Sequence, residues 1–432
     1  MIRQDASRQS PRVNSPDRTQ ADPYPKTIDE LIPPDHKART IWKLVEELDV
    51  TPLYDQIKSV EGHAGRPAID PKILVTLWLY ATVVGIASAH VLARLCRESD
   101  PFKWICGGVD VNYHTLSDFR TKHGQWLREQ VVANIASMRA EGLVNLDAIG
   151  QDGMRVRASA GNDSFKKAET LQQLLEEAEQ QWDDLQRKFE EEEFSAGRRA
   201  AKERAVAEKI DRLGQAQREL EQLAEQRETR KKGDGATTRA STTDPQARRM
   251  KMGDGGTRPA YNVQFATDLN SLVIVGMDVV PVGSDAGQME PMVERIEKEQ
   301  APLSPGAEMF VDGGFATKSD IETVGERGVI VFAPVKELEK QMQQGKDPYA
   351  AKRGDTPHVA AWRQRMGTPE GKTKYKQRSK TEWPNAEARN RGLYQFLVRG
   401  LQKVKTVVLW YVLTHNLCRM VALRAARATA AA

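Results

Sequence analysis

Two aspartates and one tyrosine-to-arginine stretch hold the residues whose types and spacing suit chemistry. Asp152 and Asp312 each follow an apolar, β-branched run and precede a glycine. A carboxylate in that place points off a sheet edge with nothing bulky beside it, although Asp-Gly is also an ordinary turn signal. If both belong to one sheet they converge on a divalent cation, and Mg²⁺ or Mn²⁺ prefers such hard oxygen ligands. The third carboxylate comes from the stretch Tyr375 to Arg389, where Tyr375, Arg378, Glu382 and Arg389 are spaced three, four and seven residues apart. On a continuous helix all four share one face. Pro384 opposes that continuity and predicts a kink or a helix start nearby. A glutamate among cations suits a metal ligand whose neighbours grip phosphates, and a solvated basic helix face would show the same pattern. Asp147, Asp285 and Glu387 are the competing carboxylates.

The elements that must position these groups are legible from periodicity. Residues 1–28 are polar, Pro- and Ser-bearing and aperiodic, and read as a disordered leader. Between about 36 and 135 the spacing is helical: Ile73, Leu74, Leu77, Trp78 and Ala81 after Pro71, then Val91, Leu92 and Leu95 after Ser88, then Leu116, Phe119 and Trp126 with Thr115 as cap. At about 143 the period changes. A strand over 143–149 leads to Asp152-Gly153, and a hairpin spans 259–281 with its turn at Asp268 to Ser271. A helix over 286–299, a strand over 308–312, a helix over 318–327 and a strand over 329–333 follow. That order predicts a mixed sheet with flanking helices. Between strand and hairpin, Leu171, Leu175, Ala178, Trp182, Leu185 and Phe189, then Val206, Ile210, Leu213 and Leu220, form two apolar stripes around Ser195-Ala196-Gly197. They predict an antiparallel coiled-coil hairpin.

Composition narrows the function classes. The 432 residues carry 64 Lys+Arg, 60 Asp+Glu and three cysteines. Cys96, Cys106 and Cys418 are isolated, which argues against a disulfide scaffold or structural zinc and for a reducing compartment. No apolar run matches a secretory signal or the ~20 residues of a membrane span. The expectation is a cytoplasmic protein with neither a membrane nor a small-molecule substrate as partner. The net charge of +4 hides segregation: 351–400 holds twelve basic and four acidic residues, 168–197 two basic and ten acidic.

The tyrosine, arginine and glutamate set resembles the DDE transposases of bacterial insertion sequences, in the branch whose signature is Tyr, Arg after two residues, Glu after three more and Lys after six more. Tyr375, Arg378 and Glu382 match in identity and spacing, and Arg389 stands where the pattern has lysine. Glu382 to Ala386 and Ala388 to Gly392 are similar to the subgroup with a helical insertion in its catalytic domain, and Thr115 to Arg120 resembles that subgroup's helical DNA-end-binding domain. The resemblance implies a helical DNA-binding domain over 29–138 and an RNase H-like domain over 139–165 and 233–425, interrupted by the coiled coil over 166–232. It also implies that Asp152, Asp312 and Glu382 are the catalytic, metal-binding triad for two Mg²⁺ (or Mn²⁺) ions. Tyr375, Arg378, Arg389 and Trp383 would contact DNA. The expected activity is binding of the element's terminal inverted repeats, followed by metal-dependent cleavage and strand transfer into target DNA by a homodimer on double-stranded DNA, associated with the nucleoid when bound. The competing reading is a non-catalytic DNA-binding or assembly protein derived from a transposase.

Overall fold

The computed structural model describes residues 27–57, 67–192, 194–230, 232–233 and 235–431, so the expected leader lies outside the described residues except for its last two positions. Helices α1 (Lys37–Glu46), α2 (Thr51–Tyr54), α3 (Pro71–Val83), α4 (Ala89–Glu98), α5 (Asp100–Cys106), α6 (Tyr113–Lys122) and α7 (Gly124–Ala140) come first. Their starts follow local chemistry. Asp70 caps α3 ahead of Pro71 by accepting from the Lys72 amide, and Ser88 caps α4. For α6 the cap is Asn112, accepting from the Thr115 amide at 2.9 Å, so Thr115 lies one turn inside the helix it was expected to start. Arg120 of the same helix is turned inward: its guanidinium lies 4.5 Å from the Trp78 ring centre and donates to the Ala87 carbonyl.

The chain then alternates. Strand β1 (Ala148–Arg157) is followed by β2 (Phe165–Lys166), α8 (Ala168–Glu191), α9 (Ala196–Arg230), β3 (Ala240–Ser241), β4 (Arg248–Lys251), β5 (Thr257–Asp268) and β6 (Ile274–Val280). Helix α10 (Met289–Glu299), β7 (Glu308–Phe310), α11 (Lys318–Glu326) and β8 (Ile330–Phe332) continue it, then α12 (Leu338–Gln343), α13 (Pro357–Gly367), α14 (Pro369–Tyr375), α15 (Glu382–Asn390) and α16 (Leu401–Ala431). The main sheet runs β4-β5-β1-β7-β8, with β6 also on β5. β1 pairs antiparallel with β5 and parallel with β7, and β7 pairs parallel with β8. The strand order and directions through β6, β5, β1, β7 and β8 are those of an RNase H-like sheet, preceded by a helical region.

Helices α8 and α9 lie side by side, with Leu171, Ala178, Leu213, Ala216 and Leu220 buried between them. The small β2–β3 pair closes their base.

The apolar run Val407 to Leu413 is part of a far longer helix, α16, long and apolar enough to cross a membrane, with its most apolar stretch mostly buried in this fold. It packs on α3, α6, α7 and β6. Asn416 makes it part of the sheet edge, donating to the Ile274 carbonyl and accepting from the Ile274 amide at 2.9 and 3.0 Å. Trp410 donates to the Arg120 carbonyl at 3.0 Å. One helix thus serves as core for both the helical region and the sheet.

Candidate active site

β1 runs unbroken through Asp152-Gly153, so this pair is neither a turn nor the end of a strand, and Leu143 to Asp147 precede the strand without belonging to it. Alternation along β1 explains the placement. Gly150 and Asp152 face the segment before α15, whereas Gln151, Gly153 and Arg155 face the opposite side. Both glycines are required by what lies against them. A Cβ at position 150 would lie 2.2 Å from Thr381 Cγ2, and one at 153 would lie 2.4 Å from Asp285 Oδ1. Asp312 lies two residues past β7, where the Phe310 partner of Gly150 brings it beside Asp152. Its Oδ1 accepts from the Gly314 amide at 2.6 Å, which fixes the turn.

The Tyr375 to Arg389 stretch is three pieces, not one helix: the end of α14, a 3₁₀ segment over 376–381, and α15 beginning at Glu382. Pro384 therefore falls in the first turn of α15, where its missing N–H leaves no gap. The 3₁₀ segment carries Arg378 into the space between the carboxylates. Its Nη2 lies 3.0 Å from Asp152 Oδ1 and 3.9 Å from Asp312 Oδ2, and its Nη1 lies 3.3 Å from Glu382 Oε1. Asp152, Asp312 and Glu382 are thus brought together around one guanidinium. Their side chains are 16 %, 40 % and 68 % exposed, so the site opens from a buried aspartate toward a solvent-facing glutamate.

Asn385 joins the cluster although its type and spacing had given it no role. It is buried, and its Nδ2 donates to Asp152 Oδ2 at 2.9 Å. It lies three residues past Glu382 and seven past Arg378, a helical spacing that does not by itself say what lies opposite. Burial pushes the Asp152 carboxyl above the usual carboxylate range, Arg378 and Asn385 oppose that, and nearby Asp312 adds to it. Tyr375 is half-buried and its hydroxyl donates to the Val311 carbonyl at 3.2 Å, so it braces the strand end that carries Asp312. Burial raises its pKa.

The remaining predicted residues separate. Trp383 is 41 % exposed, edge-on to His415 and under the Arg419 guanidinium. Arg389 is exposed in the last turn of α15, two turns beyond Glu382. Of the competitors, Glu387 pairs with buried His415 and with Arg391, both at 2.6 Å, which fastens α15 to α16. Burial raises its pKa, but His415 and Arg391 outweigh this and leave it below the usual value. Asp285 lies behind Gly153, accepting from Asn262 and Gln264 at 2.7 and 2.8 Å. Asp147 lies before β1, outside the cluster.

Three carboxylates around one cation have the donor type and the charge for a hard divalent ion. Two orphaned buried atoms beside them, Arg378 Nε and Asn385 Oδ1, lack a hydrogen-bond partner and mark polar capacity that the chain does not use itself. The carboxylates are spread around the guanidinium, and among the described residues no three acidic, histidine or cysteine groups are closed to coordination distance.

Two family models match the chain: a transposase domain of the family DUF772 over residues 26–122, and a transposase DDE domain over 233–417. The second match contains Asp312 and Glu382 and begins after Asp152, which joins them through the pairing of β1 with β5 and β7. No curated protein and no solved structure matches the chain.

Proposed function

From a chain that carries a transposase domain and, behind it, a transposase DDE domain, we propose a protein that binds the terminal inverted repeats of its own element, nicks them and joins them to target DNA. The observation that carries the reading is the convergence of Asp152, Asp312 and Glu382 on Arg378. These three carboxylates would hold Mg²⁺ or Mn²⁺, as a pair of ions, which would supply Lewis-acid activation of the attacking water or 3′-hydroxyl and of the leaving oxygen.

The chain's own groups do the positioning. Asn385 and the Gly153 amide orient Asp152. Arg378 neutralises the cluster and can turn a donor to a phosphodiester oxygen. Arg389 and the basic 351–400 segment offer further phosphate contacts, while exposed Trp383 offers a ring on which an unpaired base can stack. Tyr375 acts through the Val311 carbonyl. The cluster needs no protein nucleophile, so a covalent protein–DNA intermediate is not part of the reading. A homodimer on DNA, acting in the cytoplasm, would hold two ends at once.

The test is purified protein incubated with Mg²⁺ and a labelled duplex from the element's terminus. The expected result is nicking and strand joining, abolished by Asp152→Asn or Asp312→Asn. Specific binding without any cleavage by the wild-type chain would instead assign it the non-catalytic role, and cleavage without joining would make it a nuclease.

A further inference from the structure

Four arginines meet at the base of the α8–α9 hairpin, far from the carboxylates. Arg227 from the last turns of α9, Arg239 beside β3, and Arg248 and Arg249 of β4 line an open cavity of about 290 Å³, closed on one side by Phe165 and Leu223. Arg248 is the structural member. It is ion-paired with Glu219, donates to the Pro245 and Ala247 carbonyls, and leaves its Nε buried without a partner. Arg227, Arg239 and Arg249 are exposed and make no ion pair among the described residues. Among the described residues Asp254 pairs with Arg258, and Glu228 accepts from the Gly233 and Gly235 amides.

We propose that this groove binds the phosphate backbone of duplex DNA at a second place, on the same duplex that enters the carboxylate site. The proposal rests on the transposase reading and adds a contact surface to it. Guanidinium groups held by a strand edge and a helix end present planar forks to phosphate oxygens, and uncompensated cations in one open cavity have no protein counter-charge to lose on binding. The sheet also sets the spacing. Arg157 lies five residues beyond Asp152 on β1, and its row continues through Ala260 of β5 to Arg248 of β4. At roughly 3.3 Å per residue and 4.8 Å per strand the groove is about 20 Å from Asp152. That is about six base pairs of B-form duplex. Arg248 lies on the sheet face opposite Asp152, and Arg249, one residue on and opposite Pro259, returns to the face of Asp152, within the length of one short DNA segment.

The experiment compares full-length wild type with the triple variant Arg227→Ala/Arg239→Ala/Arg249→Ala and its all-lysine counterpart, using fluorescence anisotropy on a random 30-base-pair duplex from 50 to 200 mM salt. Losing three phosphate contacts should reduce the slope of log affinity against log salt by about 2.7, so that the salt-dependent loss of affinity over this range is about 40-fold smaller. The lysine variant should keep the wild-type slope. Because all three side chains are exposed, melting curves should coincide. If the triple variant is unstable, Arg249→Gln alone should reduce the slope by about 0.9. An unchanged slope, or a lost self-association with duplex binding intact, overturns the groove as a DNA site and in the second case assigns it to a protein contact. Wild type that binds no duplex at all overturns the transposase reading itself.

Discussion

Gly150→Ala tests how Glu382 is held against Asp152. The added Cβ would lie 2.2 Å from Thr381 Cγ2 and 2.8 Å from Leu269 Cδ2. Carbon atoms prefer about 3.5–4.0 Å, so relief requires an opening of about 1.5 Å. Leu269 can rotate, but Thr381 is short, buried and tied by its hydroxyl to the Arg378 carbonyl at 2.8 Å. The segment that moves is therefore the one carrying Arg378 and Glu382 away from Asp152. Overpacking of this kind costs about 1–3 kcal/mol of stability. A misplacement of about 1 Å among reacting groups costs about 100-fold in rate, or about 2.7 kcal/mol. Urea unfolding and Mg²⁺-dependent cleavage of an end duplex measure the two effects. Thr381→Ser removes only the methyl and keeps the hydroxyl, so Gly150→Ala/Thr381→Ser should recover at least tenfold in cleavage and much of the lost stability. Gly150→Ala with wild-type stability and cleavage, or a double variant no better than the single, would refute the argument.

Other outcomes follow from the same geometry. Asp312→Asn and Asp152→Asn should reduce cleavage by more than about 10³-fold while leaving duplex affinity within a few-fold, as read by anisotropy beside the cleavage assay. Tyr375→Phe loses one hydrogen bond to the Val311 carbonyl, about 0.5–1.5 kcal/mol, so cleavage should fall up to about tenfold and not vanish; complete loss would give Tyr375 a direct role. Burial raises the folded-state pKa of Asp152, so its contribution to stability is present at low pH and is lost as pH rises through the folded pKa. In urea titrations Asp152→Asn should accordingly be more stable than wild type at pH 8, with the gap closing as pH falls toward 4.

The sequence located most elements because their periods are strong: Ile73 to Ala81 marks α3, and the alternation from Tyr261 to Val280 marks β5 and β6. What it misplaced has local physical causes. Asp152-Gly153 resembles a turn, yet the glycine is there because Asp285 and its amide partners fill the space a side chain would need. The spacing of Tyr375, Arg378 and Glu382 fits one helical face, but the 3₁₀ segment rotates Arg378 inward and leaves Tyr375 against Val311. Asn385 was visible as a letter but not as a ligand of Asp152, because nothing local says which strand lies opposite α15. The length of α16 was hidden by the cations that flank its buried middle, Lys403 and Lys405 before it and Arg419, Arg424 and Arg427 after it.

The α8–α9 hairpin has a bearing on how the molecule assembles. β1 must find β5 across about 100 residues, and the entropy of closing a loop grows with the logarithm of its length. Most of the intervening chain is helix that pairs with itself through contacts close in sequence, and β2–β3 then joins its two ends. With the hairpin formed, the loop left to close is about 40 residues, which lowers the closure cost by about 0.8 kcal/mol, roughly fourfold in rate if closure limits folding. A large insertion between the strand of Asp152 and its neighbour thus adds little to the search that brings the sheet together, because it pairs with itself first.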